Sequence, residues 1–106
     1  MNTIAMKKMA PASLDAYVTD VLMRDLVGHD RAPSAFLVWL HLWSRAQRRK
    51  DGAVDASLQK IADATGLSKS SVSKALAHLR RRRLVETART GETAIPTHRP
   101  LTPWRR

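Results

Sequence analysis

The stretch from Ser57 to Val85, SLQKIADATGLSKSSVSKALAHLRRRRLV, leaves this chain the fewest choices. Its apolar residues recur at helical spacing in two short blocks divided by a glycine and a serine. In the first block Leu58, Ile61 and Ala62 share one side. Ser57 precedes them, and its hydroxyl can accept a hydrogen bond from a first-turn amide. Gly66 stands where a helix commonly ends in a left-handed residue, and Leu67 can then return to the core. Ser68 is placed to cap a second block, in which Val72, Ala75, Leu76 and Leu79 fall on a single face. The spacing predicts two helices joined by a tight turn and buried along their apolar sides.

Rotating the second block by about 100° per residue sorts its remaining side chains. Ser70, Lys74, Ala77 and Arg81 lie opposite the apolar stripe. Lys69, Ser73 and Arg80 form one flank, and Ser71 and His78 the other. Hydroxyls can donate to or accept from base edges, and lysine suits guanine acceptors or phosphates. A small Ala77 in the middle lets the backbone approach a surface closely. This is the chemistry of a helix laid in the major groove of duplex DNA.

The run IADATGLSKSSVSKALAHLRRRRLVET resembles the DNA-binding unit of winged helix-turn-helix regulators, as in the MarR and GntR groups and in small plasmid or phage regulators. The matching residues are Ile61-Ala62, Gly66-Leu67-Ser68, Val72, Ala75-Leu76, Leu79 and Leu84-Val85. The resemblance implies a mainly α fold with a small β-hairpin, a recognition helix over residues 68–82, and a wing after it. With the flanking helix and wing it covers roughly residues 33–98. One departure stands out. Such sequences often carry glycine before the Leu-Val pair, and here the residue is Arg83. Either Arg83 is forced to positive φ, at a cost of about 1 kcal/mol, or the helix enters the strand by a different turn.

Length and charge agree with one DNA-binding domain. The chain of 106 residues matches a single domain, and its 43% hydrophobic content permits a modest core. The formal net charge is +10, and its placement is uneven. Residues 1–43 hold four cations and four acids, whereas residues 44–106 hold fifteen cations and five acids. A polyanion is the expected partner of that second half, through counterion release from phosphates. The absence of cysteine excludes disulfides, thiolate catalysis and cysteine-based zinc sites. The longest apolar run, Phe36 to Leu40, is too short to span a bilayer. Lys7 and Lys8 are followed by no long apolar region, so a signal peptide is not expected. The expected location is the cytoplasm, with no membrane contact.

Residues 1–11 read as a flexible tail, and residues 12–98 as the single domain. Within it, residues 12–50 carry the N-terminal helices, 57–83 the helix-turn-helix and 84–98 the wing; 99–106 read as a basic C-terminal tail. A helix from Ser13 to Val27 is predicted, with Leu14, Tyr17, Val18, Val21, Leu22 and Leu26 on its apolar side and Gly28 as its stop. The next helix, Pro33 to Arg49, is apolar around most of its circumference and should be buried on more than one side. A core helix and a subunit interface both fit that pattern. A homodimer is expected through Val18, Val21, Leu22, Leu37, Trp39 and Trp43. Ala53-Val54-Asp55 reads as a short strand. Leu84 to Thr87 and Thr93 to Thr97 read as the wing strands around a turn at Gly91.

For DNA contact, Lys69, Ser70, Ser73 and Lys74 are the candidate base readers, and Gln59, Lys60 and Ser71 the candidate phosphate ligands. Ser68 and Arg81 complete the helix surface, and Arg89 is the candidate for the minor groove beside it. Arg99, Arg105 and Arg106 are expected to add nonspecific affinity. No glycine-rich phosphate loop or catalytic cluster is suggested by spacing, and His29, His41, His78 and His98 form no ligand pattern. Neither enzyme activity, nor a cofactor, nor a metal is expected, and no residue pattern announces a small-molecule effector. The leading expectation is a regulator that binds double-stranded DNA with sequence specificity. A plasmid or phage replication or partition protein is the alternative, and an RNA- or protein-binding winged module a third.

Overall fold

The computed structural model of the protein describes residues 10–105. Most of the expected N-terminal tail, residues 1–9, and Arg106 lie outside the described residues. Val18, Leu22 and Leu26 recur every four residues, and the first helix, α1 (residues 16–29), widens to keep them in one buried column. Two of its turns, Val18–Leu22 and Asp25–His29, are π-helical. A turn that closes five residues back rotates less per residue, so side chains four apart stay almost in line. Gly28, expected as the stop, lies inside α1. The left-handed residue is instead Arg31, at φ 54°, and the Ala32 N–H bonds back to the Leu26 carbonyl at 2.8 Å.

Helix α2 (Pro33–Ala46) starts on a proline, which needs no N–H in the first turn. It runs through the centre of the core and ends three residues before the expected Arg49. A short strand, β1 (Val54–Asp55), leads into α3 (Leu58–Thr65) and α4 (Lys69–Arg81). Both caps act as the sequence suggests: the Ser57 hydroxyl accepts from the Lys60 N–H at 3.1 Å and that of Ser68 from Ser71 at 3.0 Å. Gly66 is left-handed at φ 80°. Val72, Ala75, Leu76 and Leu79 are buried against α2.

At the end of α4 the polypeptide turns through Arg83 at φ 55°, and the Leu84 N–H bonds to the Leu79 carbonyl at 2.8 Å. That bond and the burial of Leu84 fix a left-handed position that arginine occupies at a cost of about 1 kcal/mol. Arg83→Gly is therefore expected to stabilise the fold by about 1 kcal/mol, raising the melting temperature by about 4–8 °C. A thermal scan showing no increase would mean that the Arg83 side chain makes a compensating contact.

The wing differs from the sequence expectation in its second strand. Strand β2 (Val85–Ala88) pairs antiparallel with β3 (Thr97–Pro100), so the returning strand begins where Thr93–Thr97 was expected to end. β3 is central in the order β1-β3-β2, with Thr87 and Val54 both opposite His98. Proline cannot donate within a ladder, and Pro100 is tolerated because it ends the strand. Past β3 the described C-terminal residues, up to 105, pack on the body of the domain. Leu101 N–H bonds to the Leu84 carbonyl at 2.9 Å, and Trp104 stacks on Tyr17 with ring centroids 4.6 Å apart. Arg105 bonds both oxygens of Asp15, at 2.7 and 2.9 Å. This bond and the one from the Trp104 indole hold the Asp15 carboxyl down to about 2.

The burial pattern also corrects the expected dimer surface. Val18, Leu22 and Trp39 are at most 3% exposed within the chain's own core, so they have no surface to offer a partner. Trp43 is engaged as well: its indole donates to the Ser13 carbonyl at 2.8 Å and the Arg105 guanidinium lies 4.9 Å over its ring. Of the six residues, Leu37 is exposed and Val21 half-buried.

Candidate nucleic-acid interface

The outward side of α4 is built by what its other side must do. With Val72, Ala75, Leu76 and Leu79 committed to the core, Lys69, Ser70, Ser73, Lys74 and Arg81 are exposed, and Ser71 is half-buried. Ser68 is exposed but occupied: besides its capping bond, its hydroxyl donates to that of Ser71 at 2.9 Å. The hydroxyls of Ser70 and Ser73 have no hydrogen-bond partner among the described residues and remain available.

Two grooves run along this ridge. On the wing side, Gln59, Lys69 and Arg89 line a depression of about 280 Å³ with Thr93, Ile95 and Pro96. Arg89 is folded back there, its guanidinium donating to the Glu92 carbonyl at 3.3 Å. On the opposite side, Ser71, Lys74 and Arg81 face Arg31 and Ser34 across a groove of about 430 Å³. The structure thus brings together two subsets of the expected contacts. Lys60 belongs to neither and shares a separate groove with Arg45 and Arg48 near the end of α2. Arg49 is a structural residue that binds Asp51 at 2.7 Å and Asp55 at 2.9 Å. Arg99 is likewise tied to the Asp51 carbonyl, at 3.2 and 3.3 Å.

Two polar clusters that fix α4 were not visible as motifs. Asp30, in the corner after α1, has a side chain only 7% exposed and binds His78 and Arg82 from α4 at 2.8 and 2.9 Å. His29 binds its other oxygen at 2.8 Å. Burial alone would raise the Asp30 carboxyl, but the bonds from His29 and His78 and the charge of Arg82 outweigh it and hold the pKa below the usual value. The second cluster joins α4 to the sheet. The His98 Nε2–H donates to the Ala56 carbonyl at 3.1 Å, since a carbonyl can only accept; Nδ1 then accepts from the Thr87 hydroxyl at 2.9 Å. Thr87 in turn accepts from Arg80 at 3.4 Å.

His98 is 1% exposed, and burial holds its imidazole below the ordinary range; the bond to Ala56 opposes the shift, while Arg80 and Arg89 add to it. As pH falls, the unfolded chain takes up the proton first. Stability is therefore complete above pH about 6.5 and declines as pH drops through that value toward the folded pKa. One such group gives a slope of up to about 1.4 kcal/mol per pH unit. His41, lowered by burial and Arg45, acts in the same direction. Urea titrations should show this decline above the carboxylate range, and His98→Gln should flatten it.

No helix in the described region is long and apolar enough to cross a membrane. Among the described residues no group of three or more His, Asp or Glu side chains is arranged to hold a metal. No curated protein matches the sequence. The crystal structure of the AntR antimony-specific transcriptional repressor is similar over 94% of this chain and 78% of that one, with 21% identity and a TM-score of 0.49. Residues 32–85 match the helix-turn-helix domain family. That match takes in half of the chain, from the entry of α2 to the start of β2, and the protein belongs to the helix-turn-helix domain family, carried here on a winged-helix fold.

Proposed function

We propose that the protein recognises a specific duplex sequence by laying α4 in the major groove while the β2–β3 wing reaches the neighbouring minor groove. The observation that carries this reading is the outward face of α4. Lys69, Ser70, Ser73 and Lys74 are all exposed on one helix capped by Ser68. Ser70 and Ser73 can exchange hydrogen bonds with base edges, and Lys69 and Lys74 suit guanine acceptors or phosphate. Gln59 and Ser71 flank the ridge as phosphate contacts, and Arg89 serves the wing. Lys60 acts on more distant phosphate with Arg45 and Arg48.

The protein works as a homodimer, whose two copies of α4 enter successive major grooves about one helical turn apart. Among the apolar residues left exposed on α1 and α2, Met23, Val27 and Leu37 supply the pairing surface, with Val21 at its margin. Selection of bound fragments from random duplexes tests both features together. Recovery of an inverted repeat is expected; a pool without consensus, or stronger retention by structured RNA, overturns the reading.

Within that reading, Lys69→Ala should weaken binding to the selected site by about 1–3 kcal/mol and relax preference at its contacted base pair. Arg89→Ala should weaken all duplexes alike and make the salt dependence shallower by about 0.9 in slope. Identical base preferences for Lys69→Ala and the unaltered protein would remove Lys69 from base contact.

A further inference from the structure

A helix of about 10–12 Å diameter fills a major groove of about 12 Å, so the phosphates of both strands line its two sides. The wing attends to one side only. The Arg80 flank of α4 is bonded to Thr87 of β2, whereas the His78 flank is bonded to Asp30 in the α1–α2 corner. We propose that this corner is a second backbone anchor: a phosphodiester of the strand opposite the wing sits in the groove between the start of α2 and α4, held by Arg31, Ser34, Lys74 and Arg81. The proposal rests on the docking of α4 described above.

Three features of the groove favour an anion. Arg31 from the α1–α2 corner and Lys74 and Arg81 from α4 converge on it, and its volume of about 430 Å³ admits a phosphate with its ribose edge. The carboxylate that also borders it, Asp30, is occupied by His29, His78 and Arg82, so the cations facing the opening remain in excess. The first turn of α2 is capped by no side chain, because its cap residue is Ala32 and Pro33 follows. The positive end of the helix dipole is thus open beside Ser34.

Arg31 itself is held at φ 54° and makes no hydrogen bond or ion pair among the described residues. Strain alone does not locate a site, since Arg83 shares it; the converging cations do. Glycine would occupy the Arg31 position more cheaply, which gives a test in which fold and function move in opposite directions. Arg31→Gly should raise the melting temperature, yet make the plot of log affinity against log salt less steep by about 0.9 on a random-sequence duplex. Ser34→Glu should also favour the start of α2 through the dipole while weakening binding to every duplex. Ethylation of phosphates on the strand opposite the wing should interfere with the unaltered protein and interfere less with Arg31→Gly. An unchanged salt slope in Arg31→Gly, with Lys69→Ala still altering base preference, overturns the anchor and leaves the α4 docking intact. Failure of the unaltered protein to bind duplex DNA overturns both.

Discussion

Trp39→Ala is expected to destabilise the protein by about 3–5 kcal/mol, the usual cost of removing a fully buried large aromatic. Trp39 is completely buried, stacks on Trp43 with centroids 5.5 Å apart and meets Trp104 at 5.7 Å. Its indole also donates to the Leu101 carbonyl at 3.3 Å, just beyond β3. The side chain therefore joins the core helix to the strand at the centre of the sheet. A domain of this size commonly has only about 5–15 kcal/mol of total stability, so the variant should unfold near working temperatures. Trp39→Phe retains most of the apolar contact but leaves the Leu101 carbonyl without its donor, and should cost about 1–3 kcal/mol. In urea the midpoint should fall in that order with little change in slope. The alternative, in which Trp39 serves a subunit interface, makes a different forecast: a folded monomer, with the loss visible only in association.

The helix-turn-helix was legible because its determinants are local. Ser57, Gly66 and Ser68 act on atoms within a few residues, and the apolar spacing of α4 sets its orientation without reference to the rest of the chain. Arg83 was legible as a conflict between residue type and required backbone, and the conflict is present at φ 55°. The second wing strand was not, because Thr97–Pro100 contains a proline and lacks a clear alternation; its place is set by partners on two other strands. Burial of Trp39 and exposure of Leu37 were equally hidden. Both belong to one helix that is apolar almost all round, and periodicity cannot say which side meets a neighbour. The α4 face of the site could be read from spacing, but its frame could not. Arg31 and Ser34 come to that face only through the α1–α2 corner, and Asp30 is 48 residues from His78.

Asp30→Ala should expose that hidden frame most directly. The carboxylate is the only acid among the groups it joins, and its loss leaves His78 and Arg82 facing each other with no acceptor between them. Breaking a fully buried ion pair costs about 3–5 kcal/mol. Arg82 and His29 can rehydrate here, with side chains 42% and 84% exposed, so about 2–3 kcal/mol is the expected loss. Asp30→Asn keeps an acceptor while losing the charge, and should fall between that variant and the unaltered protein. The effect on DNA binding separates this role from ordinary packing. At temperatures where the variant remains folded, a loosened α4 should lose preference among duplexes, while its charge-driven affinity for any duplex persists or rises because a negative charge has been removed from the groove. Equal losses on specific and random duplexes would show that Asp30 does not position α4 for reading bases.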